Sequence, residues 1–244
     1  MQTNNKTFRF FGKQSEAFAQ AENNTFFFAK DVNEKAFKNY SSISNDVEFF
    51  HIYNTLPSTK KNFYELIKSD RPRFEYYDIE FIKDSEQIYT ILKPDQFINS
   101  FQSVRNSVLR TFGIEPSRYQ TEWYITDSSK SLDDGTFKCS YHVVNRKMIF
   151  QNQPETQAWY DAFSKYLKKN PQFDGIIDTK VSSNNRVMRL IESSKFGQNR
   201  PLKRAEWHTP SRTAPDHKFL ITNVKEIDFQ SPSNLVFGNV PEIA

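Results

Sequence analysis

The sequence predicts an α+β protein with two modules, and three observations support this fold class. From residue 74 to residue 181, apolar patterning indicates the order strand, helix, strand, strand, helix, strand, which is the order of a split βαβ unit. Each helical segment carries one apolar stripe, so both helices are expected to cover one face of the sheet and leave the other open. Shorter mixed segments precede this unit. We assign residues 1–70 to a small N-terminal α/β module, 71–230 to the split βαβ module and 231–244 to a C-terminal tail.

The N-terminal module is predicted from short apolar segments between polar stretches. The run TFFFA at residues 25–29 indicates a buried strand, and Ser58 is a suitable N-cap for a following helix. In chain order, we predict a strand at 8–11, a helix at 13–21, strands at 25–29 and 47–53, and a helix at 59–67.

The elements of the second module are predicted from clearer periodicity. Apolar residues recur at helical spacing from Phe97 to Phe112, with Asp95 as a candidate N-cap and Gly113 just beyond the end. Pro154 lies where the first turn of a second helix tolerates proline. The predicted elements are strands at 71–83, 122–126, 136–145, 175–181, 186–191 and 219–224, and helices at 95–112 and 154–167.

Composition limits the classes of protein to which the chain can belong. With 244 residues, 37% hydrophobic and 25% charged, it can form a sizeable core. The single cysteine, Cys139, excludes an internal disulfide and a cysteine-based zinc cluster. No apolar run approaches a membrane span and the N-terminus lacks a secretory apolar segment, so we expect an intracellular protein without a membrane partner.

Positive charge is concentrated in one part of the chain, although the net charge is only +4. Between Val181 and Lys218 there are eight Lys or Arg residues and three Asp or Glu residues. This local excess suits a phosphate-rich partner, and it equally suits a solvated basic surface.

The strand at 71–83 is predicted to place two acids on the open face. Its side chains alternate, so Tyr77 and Ile79 share one side while Asp78 and Glu80 share the other. Two adjacent carboxylates repel one another unless a cation lies between them, and a divalent metal is the usual cation. The alternative is a half-exposed strand with solvated acids on its outer face.

The strand at 136–145 is predicted to place three more polar groups on the same face. Lys138, Ser140 and His142 point away from the helices, whereas Cys139 and Tyr141 point toward them. In a split βαβ unit, this strand lies beside the strand that carries the acids. The open face is therefore predicted to combine carboxylates with a cation, a hydroxyl and an imidazole.

A third carboxylate and three cations follow in the sequence. Asp178 lies among apolar residues, where an acid is costly unless it is paired or binds a metal, and a cap at a strand end is the alternative. Arg186, Arg189 and Lys195 come soon after it. Arginine can bind phosphate oxygens in a bidentate manner and lysine acts as a mobile point charge, so these residues suit a triphosphate.

Together these motifs resemble the three catalytic motifs of the archaeo-eukaryotic primase superfamily, and its PrimPol-like branch in particular. The segments at 11–18 and 64–67 are also similar to that branch, so the resemblance covers about residues 8–224. The matching motifs are Asp78-x-Glu80, Lys138-x-Ser140-x-His142, and Asp178 followed by Asn185-Arg186-Val187-Met188-Arg189-Leu190 and Ser193-Ser194-Lys195.

The resemblance implies an RRM-like catalytic half and a DNA primase/polymerase that adds nucleotides from nucleoside triphosphates to a 3′-hydroxyl. The resemblance also implies that the protein binds a DNA template, a primer and dNTP or NTP. A helicase or a single-strand-binding protein is a further candidate partner. By the same resemblance, Tyr64 is a candidate sugar selector, and a core tyrosine is the alternative. The implied ligands of two divalent cations, Mg²⁺ or Mn²⁺, are Asp78, Glu80 and Asp178; the implied triphosphate contacts are Lys138, Ser140, His142, Arg186, Arg189 and Lys195.

The sequence departs from that family in one respect and leaves two other functions open. One cysteine and four scattered histidines provide no zinc module for primer initiation, so no zinc is expected and elongation is the safer inference than independent priming. A metal-dependent nuclease could use the same carboxylates to activate water. A non-catalytic RRM-like RNA binder is less compatible, because acids occupy positions where such a module carries stacking aromatics.

Overall fold

The computed structural model describes residues 8–20, 25–35, 37–83, 94–169 and 175–238. Its strands form two sheets. The strands of the first sheet are Phe26–Asp31 (β1), Lys38–Ile43 (β2), Phe63–Ile67 (β3) and Arg186–Arg189 (β8). This sheet is antiparallel, and its strand order is β2–β1–β3–β8. The distant strand β8 thus completes a sheet that otherwise comes from the N-terminal module.

The second sheet is organised around one long strand, Phe137–Phe150 (β7). β7 pairs antiparallel with Arg73–Lys83 (β4) and with Trp123–Asp127 (β5), and His142 is opposite a residue of each, so β7 lies between them. The shorter strands are Lys130–Ser131 (β6), Lys203–Arg204 (β9) and Leu235–Val236 (β10). The prediction that the two strands with the polar motifs lie side by side is therefore confirmed.

Two long helices cover the apolar face of this sheet, as predicted. They are Pro94–Thr111 (α3) and Gln153–Leu167 (α4). Phe101 and Val108 of α3 and Trp159 and Phe163 of α4 are buried in one core cluster with β4 and β7. α3 begins before Asp95, so the predicted N-cap there is wrong, whereas Asn152 caps α4 by accepting from the backbone N–H of Glu155 at 3.1 Å.

The remaining helices are short and lie around the two sheets. They are Gln14–Ala19 (α1), Asp46–Tyr53 (α2), Thr209–Thr213 (α5) and Glu226–Gln230 (α6), with 3₁₀ turns at Ser58–Lys60, Pro116–Arg118, Thr179–Ser182 and Asp216–Phe219. Across the part of the chain that the structure describes, no helix combines the length and the apolar character needed to cross a bilayer.

Two predictions for the N-terminal module are wrong. Residues 47–53 form helix α2, because the Asn45 side chain accepts from the backbone N–H of Glu48 at 2.9 Å and so starts a helical turn. Most of the helix predicted at 59–67 is strand β3, whose five residues are all buried. A short, continuously buried run has no exposed face to distinguish a helix from a strand by periodicity.

Other predictions differ from the structure in extent. Phe11 forms only a single bridge with Tyr40, and no strand is found at 219–224. The predicted strand at 175–181 is reduced to one bridge between Ile79 and Ile177. The Asp178 side chain then accepts from the backbone N–H of Lys180 at 2.9 Å, and such a local bond competes with strand pairing.

The division of the chain into modules at residues 70/71 and 230/231 stays a prediction. Strand β8 and the buried residues Leu190, Ile191, Phe219 and Leu220 belong to the sheet or core cluster of the N-terminal module. In the predicted tail, β10 pairs with β7, while residues 239–244 lie outside the described residues. Ala21, the end of the first predicted helix, also lies outside them.

Candidate active site

Two acidic side chains project from β4 on the face opposite to the helices. Asp78 and Glu80 alternate with Tyr77 and Ile79, which are completely buried. The side chain of Asp78 is 21% exposed and that of Glu80 is 45% exposed. The predicted alternation is confirmed, and it positions the acids side by side without disturbing the core.

Strand β7 places three polar side chains opposite these acids. His142 is paired with Asp78 and Ser140 with Glu80. Lys138 Nζ donates to Glu80 Oε2 at 2.8 Å, and Ser140 Oγ donates to Glu80 Oε1 at 3.3 Å. His142 Nε2 lies 3.7 Å from Asp78 Oδ1. The register of the two strands alone therefore brings the two sequence motifs together.

Asp178 lies on the other side of β4 from β7. Its backbone N–H donates to the Asp78 carbonyl at 3.0 Å, and its carboxylate Oδ2 lies 3.5 Å from Arg186 Nη2. The same carboxylate caps the 3₁₀ turn that follows it, which is the alternative that the sequence left open. Asp178 is thus a local cap that is also close enough to Asp78 to affect its ionisation.

The two acids of β4 that lie on the face opposite to the helices have opposite pKa shifts. Burial, and then the charges of Glu80 and Asp178, raise the pKa of Asp78 to about 6, while the charges of Arg189 and Arg186 act in the opposite direction. Burial alone would also raise the pKa of Glu80, but the hydrogen bond and charge of Lys138 hold it below its ordinary value. Of these two acids, Asp78 is therefore the one whose charged form the protein alone stabilises less.

The hydrogen bonds of Asp78 also show that its carboxylate is incompletely stabilised. Its Oδ1 is buried and has no hydrogen-bond partner among the described residues. Mg²⁺ and Mn²⁺ prefer oxygen ligands, and a bound cation would satisfy this atom and lower the pKa of the carboxyl. The chemistry of Asp78, Glu80 and Asp178 therefore fits a divalent cation.

The carboxylates of Asp78, Glu80 and Asp178 are not arranged around a common point in this structure. In the described ranges, no group of three or more His, Cys, Asp or Glu side chains is arranged to hold a metal ion. The side chains of Glu80 and Asp178 are 45% and 37% exposed, so both have room to rotate toward Asp78.

His142 contributes a neutral imidazole to the site. Burial, and then the charge of Arg189, lower the pKa of His142 to about 3. The ring is therefore uncharged near neutral pH, and its approach to Asp78 is not an ion pair. A neutral imidazole still provides one N–H donor and one acceptor.

Cationic side chains collect beside the acids. Arg189 of β8 is buried, and its Nη2 donates to Ser128 Oγ at 3.1 Å, while its Nε and Nη1 have no partner among the described residues. Nε and Nη1 of Arg200 are also buried without a partner among the described residues, and so is Nε of Arg186. Burial, and then the charge of Arg189, lower the pKa of Lys195, while Glu80 acts in the opposite direction. Because a buried donor without a partner costs free energy, this cluster is suited to an anion.

Arg200 and a pair of serines are parts of this site that the sequence motifs did not identify. Ser128 Oγ lies 3.1 Å from Ser140 Oγ, and Ser129 Oγ accepts from the Ser140 backbone N–H at 3.1 Å. The excess of basic residues between 181 and 218 includes Arg200 but does not distinguish it from its neighbours. Only the fold places its guanidinium beside that of Arg189.

Tyr64 lies next to the site, but its hydroxyl is already engaged. It is buried on β3 opposite Arg189 of β8. Its hydroxyl donates to Asp31 Oδ2 at 2.7 Å, and the ammonium of Lys38 lies 3.8 Å from the ring centroid. Burial, and then the hydrogen bond to Asp31, raise the pKa of Tyr64. Its role as a sugar selector stays a prediction, and such a role would have to use the ring edge.

Comparison with known proteins gives one relevant similarity. No family model matches the chain. In an alignment over 212 residues that covers 78% of this chain, it is 23% identical to a protein of Ostreid herpesvirus 1 (isolate France) described as "Putative primase". The matched part is 18% of the length of that viral protein. The chain is therefore distantly similar to part of a protein named as a primase.

Proposed function

We propose that the chain is a template-directed nucleotidyltransferase, a DNA primase/polymerase that adds nucleotides from nucleoside triphosphates to a 3′-hydroxyl. The observation that carries the proposal is a buried carboxylate oxygen of Asp78 that lies beside arginines with buried N–H donors, where neither the oxygen nor those donors have a partner among the described residues. Such a site is incomplete without both a cation and an anion, and a metal-bound triphosphate supplies the two together. The distant similarity to a protein named as a primase supports the same class of reaction.

In this proposal, the acids hold the metal ions. Asp78, Glu80 and Asp178 would bind two divalent cations, Mg²⁺ or Mn²⁺. When bound, such ions promote deprotonation of the attacking hydroxyl and stabilise charge on the transferring phosphoryl group. Lys138 Nζ donates a hydrogen bond to Glu80 Oε2 at 2.8 Å, and this bond would have to break before Glu80 could bind a metal ion. The partly exposed side chain of Lys138 allows that movement.

The basic side of the site holds the triphosphate. Arg189 and Arg200 offer buried guanidinium donors, Lys138 and Lys195 offer mobile charges, and Ser140 offers a hydroxyl. His142, which is neutral, would donate a hydrogen bond without adding charge. Arg186, whose Nη2 lies 3.5 Å from Asp178 Oδ2, would bridge the acids and the phosphates.

The test is an assay with a labelled primer–template, Mn²⁺ or Mg²⁺, and either dNTPs or NTPs. We expect primer extension by the parent protein and none by the Asp78→Ala/Glu80→Ala double variant. The double variant should keep its fold, because both side chains lie outside the apolar core. A circular dichroism melt of both proteins controls for folding.

Other outcomes of that assay distinguish the alternatives. Shortening of the primer by the parent but not by the double variant would indicate a metal-dependent nuclease. Retention of the primer without any change in its length would indicate a nucleic-acid-binding module. Extension at the parental rate by the double variant would refute the assignment of the acids. Omission of the primer tests whether the chain also initiates synthesis.

A further inference from the structure

A second cleft lies on the first sheet, outside the residues assigned to the candidate active site. Its volume is about 390 Å³, which is within the range of small-molecule sites. Residues of β1, β2, the Ser58–Lys60 turn and the segment after Lys195 line it. The sequence motifs and the proposed function do not use its side chains.

The cleft carries uncompensated positive charge. Lys30 and Lys60 both line it, and neither forms an ion pair with another described residue. The Lys30 ammonium lies 5.3 Å from the centroid of the Phe63 ring, and burial, and then the charge of Lys60, lower the pKa of Lys30. The acid in the lining is Asp31, whose carboxylate is already bound by Lys38, by the Tyr64 hydroxyl and by the backbone N–H of Phe196. Two neighbouring cations of this kind favour a phosphate.

The lining also contains a buried acceptor without a partner. Asn62 is 8% exposed, and its Oδ1 has no hydrogen-bond partner in the described part of the protein. The orientation of the amide is defined, because Nδ2 donates at 3.0 Å to the carbonyl oxygen of Asp31, which can only accept. A donor from a ligand would therefore be stabilised at this side of the cleft.

Apolar side chains complete the lining. Phe196 is 40% exposed and Val32 is 47% exposed, although both are large apolar residues. Phe10 lines the cleft as well. An exposed aromatic ring beside lysines is the combination on which nucleobases stack while the phosphates are neutralised.

We propose that this cleft is a second nucleotide-binding site, in which Lys30 and Lys60 contact a phosphate while Phe196 and Asn62 contact the base. The ligand is one nucleotide unit, either within a single strand or free. Phe196 directly follows Lys195, and the Asp31 carboxylate joins the Phe196 backbone to the Tyr64 hydroxyl. A strand that occupies the cleft would thus lie next to the candidate active site without using its acids.

The test measures binding in EDTA, so that a metal-dependent site does not contribute. The probes are a short fluorescent single-stranded DNA of mixed sequence and, separately, dATP. The variants are Lys30→Gln/Lys60→Gln and Phe196→Ala. The matched control is Lys165→Gln/Lys168→Gln, which removes the same charge from exposed positions at the end of α4 on the other side of the second sheet.

We expect the Lys30→Gln/Lys60→Gln protein to bind the DNA about tenfold more weakly and to show a salt slope lower by about 0.7, because each neutralised phosphate of a single strand contributes about 0.7. Phe196→Ala should weaken binding by about fivefold or more at every salt concentration and leave the slope unchanged. Loss of dATP binding alone would identify a free nucleotide as the ligand and would still support the site.

Equal affinity of the Lys30→Gln/Lys60→Gln variant and the Lys165→Gln/Lys168→Gln control for both probes would overturn the proposal. The result is separable from the proposed function, because EDTA removes the divalent cations that the candidate active site would need, whereas the cleft would bind through lysines and an aromatic ring. Failure of primer extension with cleft-dependent binding intact would contradict the proposed function alone.

Discussion

Two acids on the same strand, Glu75 and Asp78, have opposite surroundings. Glu75 is completely buried on the helix side of β4, and every partner it needs is present. Arg105 Nε of α3 donates to its two oxygens at 2.6 and 2.9 Å, Asn145 Nδ2 donates at 2.6 Å, and the Tyr77 hydroxyl donates as well. Asp78, on the opposite face, retains a buried oxygen without any partner among the described residues.

The difference separates a structural acid from a candidate functional one. A buried ion pair with all its hydrogen bonds made holds an element in place, and breaking it leaves an uncompensated charge. A buried carboxylate with a raised pKa and a free oxygen instead destabilises the fold until a ligand arrives. The following predictions test whether this distinction between Glu75 and Asp78 holds.

The largest expected effect is on the activity of the Asp78→Asn variant. Nucleotide incorporation should fall at least about a thousandfold, since loss of metal-assisted charge stabilisation costs several kcal/mol. The unfolding free energy near pH 8 should not fall, because the amide removes a buried charge. Single-turnover extension and chemical denaturation measure the two quantities. A stable but fully active variant would contradict the role of Asp78.

The converse is expected at Glu75. Glu75→Ala should lower the free energy of unfolding by about 3–5 kcal/mol, because it leaves the Arg105 guanidinium buried without its partner. Urea denaturation checks this value. The double variant Glu75→Leu/Arg105→Met should recover most of the loss, since it removes both charges together. If Glu75→Ala is as stable as the parent, the contrast with Asp78 fails.

A smaller effect is expected for Arg189 and Arg200, each of which has two buried nitrogens without a partner among the described residues. Arg189→Gln and Arg200→Gln should each weaken nucleotide binding in Mn²⁺ by about 1.5–3 kcal/mol, the range for hydrogen bonds to charged groups. The salt slope of DNA binding should stay unchanged, because a residue that contacts the triphosphate makes no backbone phosphate contact. Arg118→Gln, at an exposed position, is the matched control. A shallower salt slope with normal nucleotide binding would move these arginines to the DNA-binding surface.

The smallest effect concerns pH. The folded pKa of Asp78, about 6, is above its ordinary value of 3.8, so the folded state binds the proton more tightly than the unfolded state. Its contribution to stability is present below the ordinary pKa and is lost as the pH rises through about 6. In EDTA, Asp78→Asn should therefore exceed the parent in stability by about 1–2 kcal/mol above pH 6, and the gain should vanish below about pH 4.

Glu80 provides a control of opposite sign. Its pKa lies below the ordinary value, so its contribution to stability is present above that value and is lost as the pH falls. Glu80→Gln should accordingly be less stable than the parent at neutral pH, and the two should converge in acid. Parallel curves for the two variants would show that both acids have the same environment.

The sequence by itself determined the face on which the site residues lie. The period of two along β4 and β7 separates Asp78, Glu80, Lys138, Ser140 and His142 from the core, and burial of the intervening residues fixes that choice. The apolar stripes of α3 and α4 likewise identified the face that they cover. These features were predictable because each depends on a periodicity within one segment.

Only the tertiary structure decided which distant segments meet. β8 joins the first sheet beside β3, and this pairing brings Arg189 to the acids of the second sheet. No local sequence pattern predicts that Arg200 lies beside Arg189 or that Glu75 pairs with Arg105. Backbone pairing across more than a hundred residues is governed by the total burial and hydrogen bonding of the fold, so no window of sequence contains it.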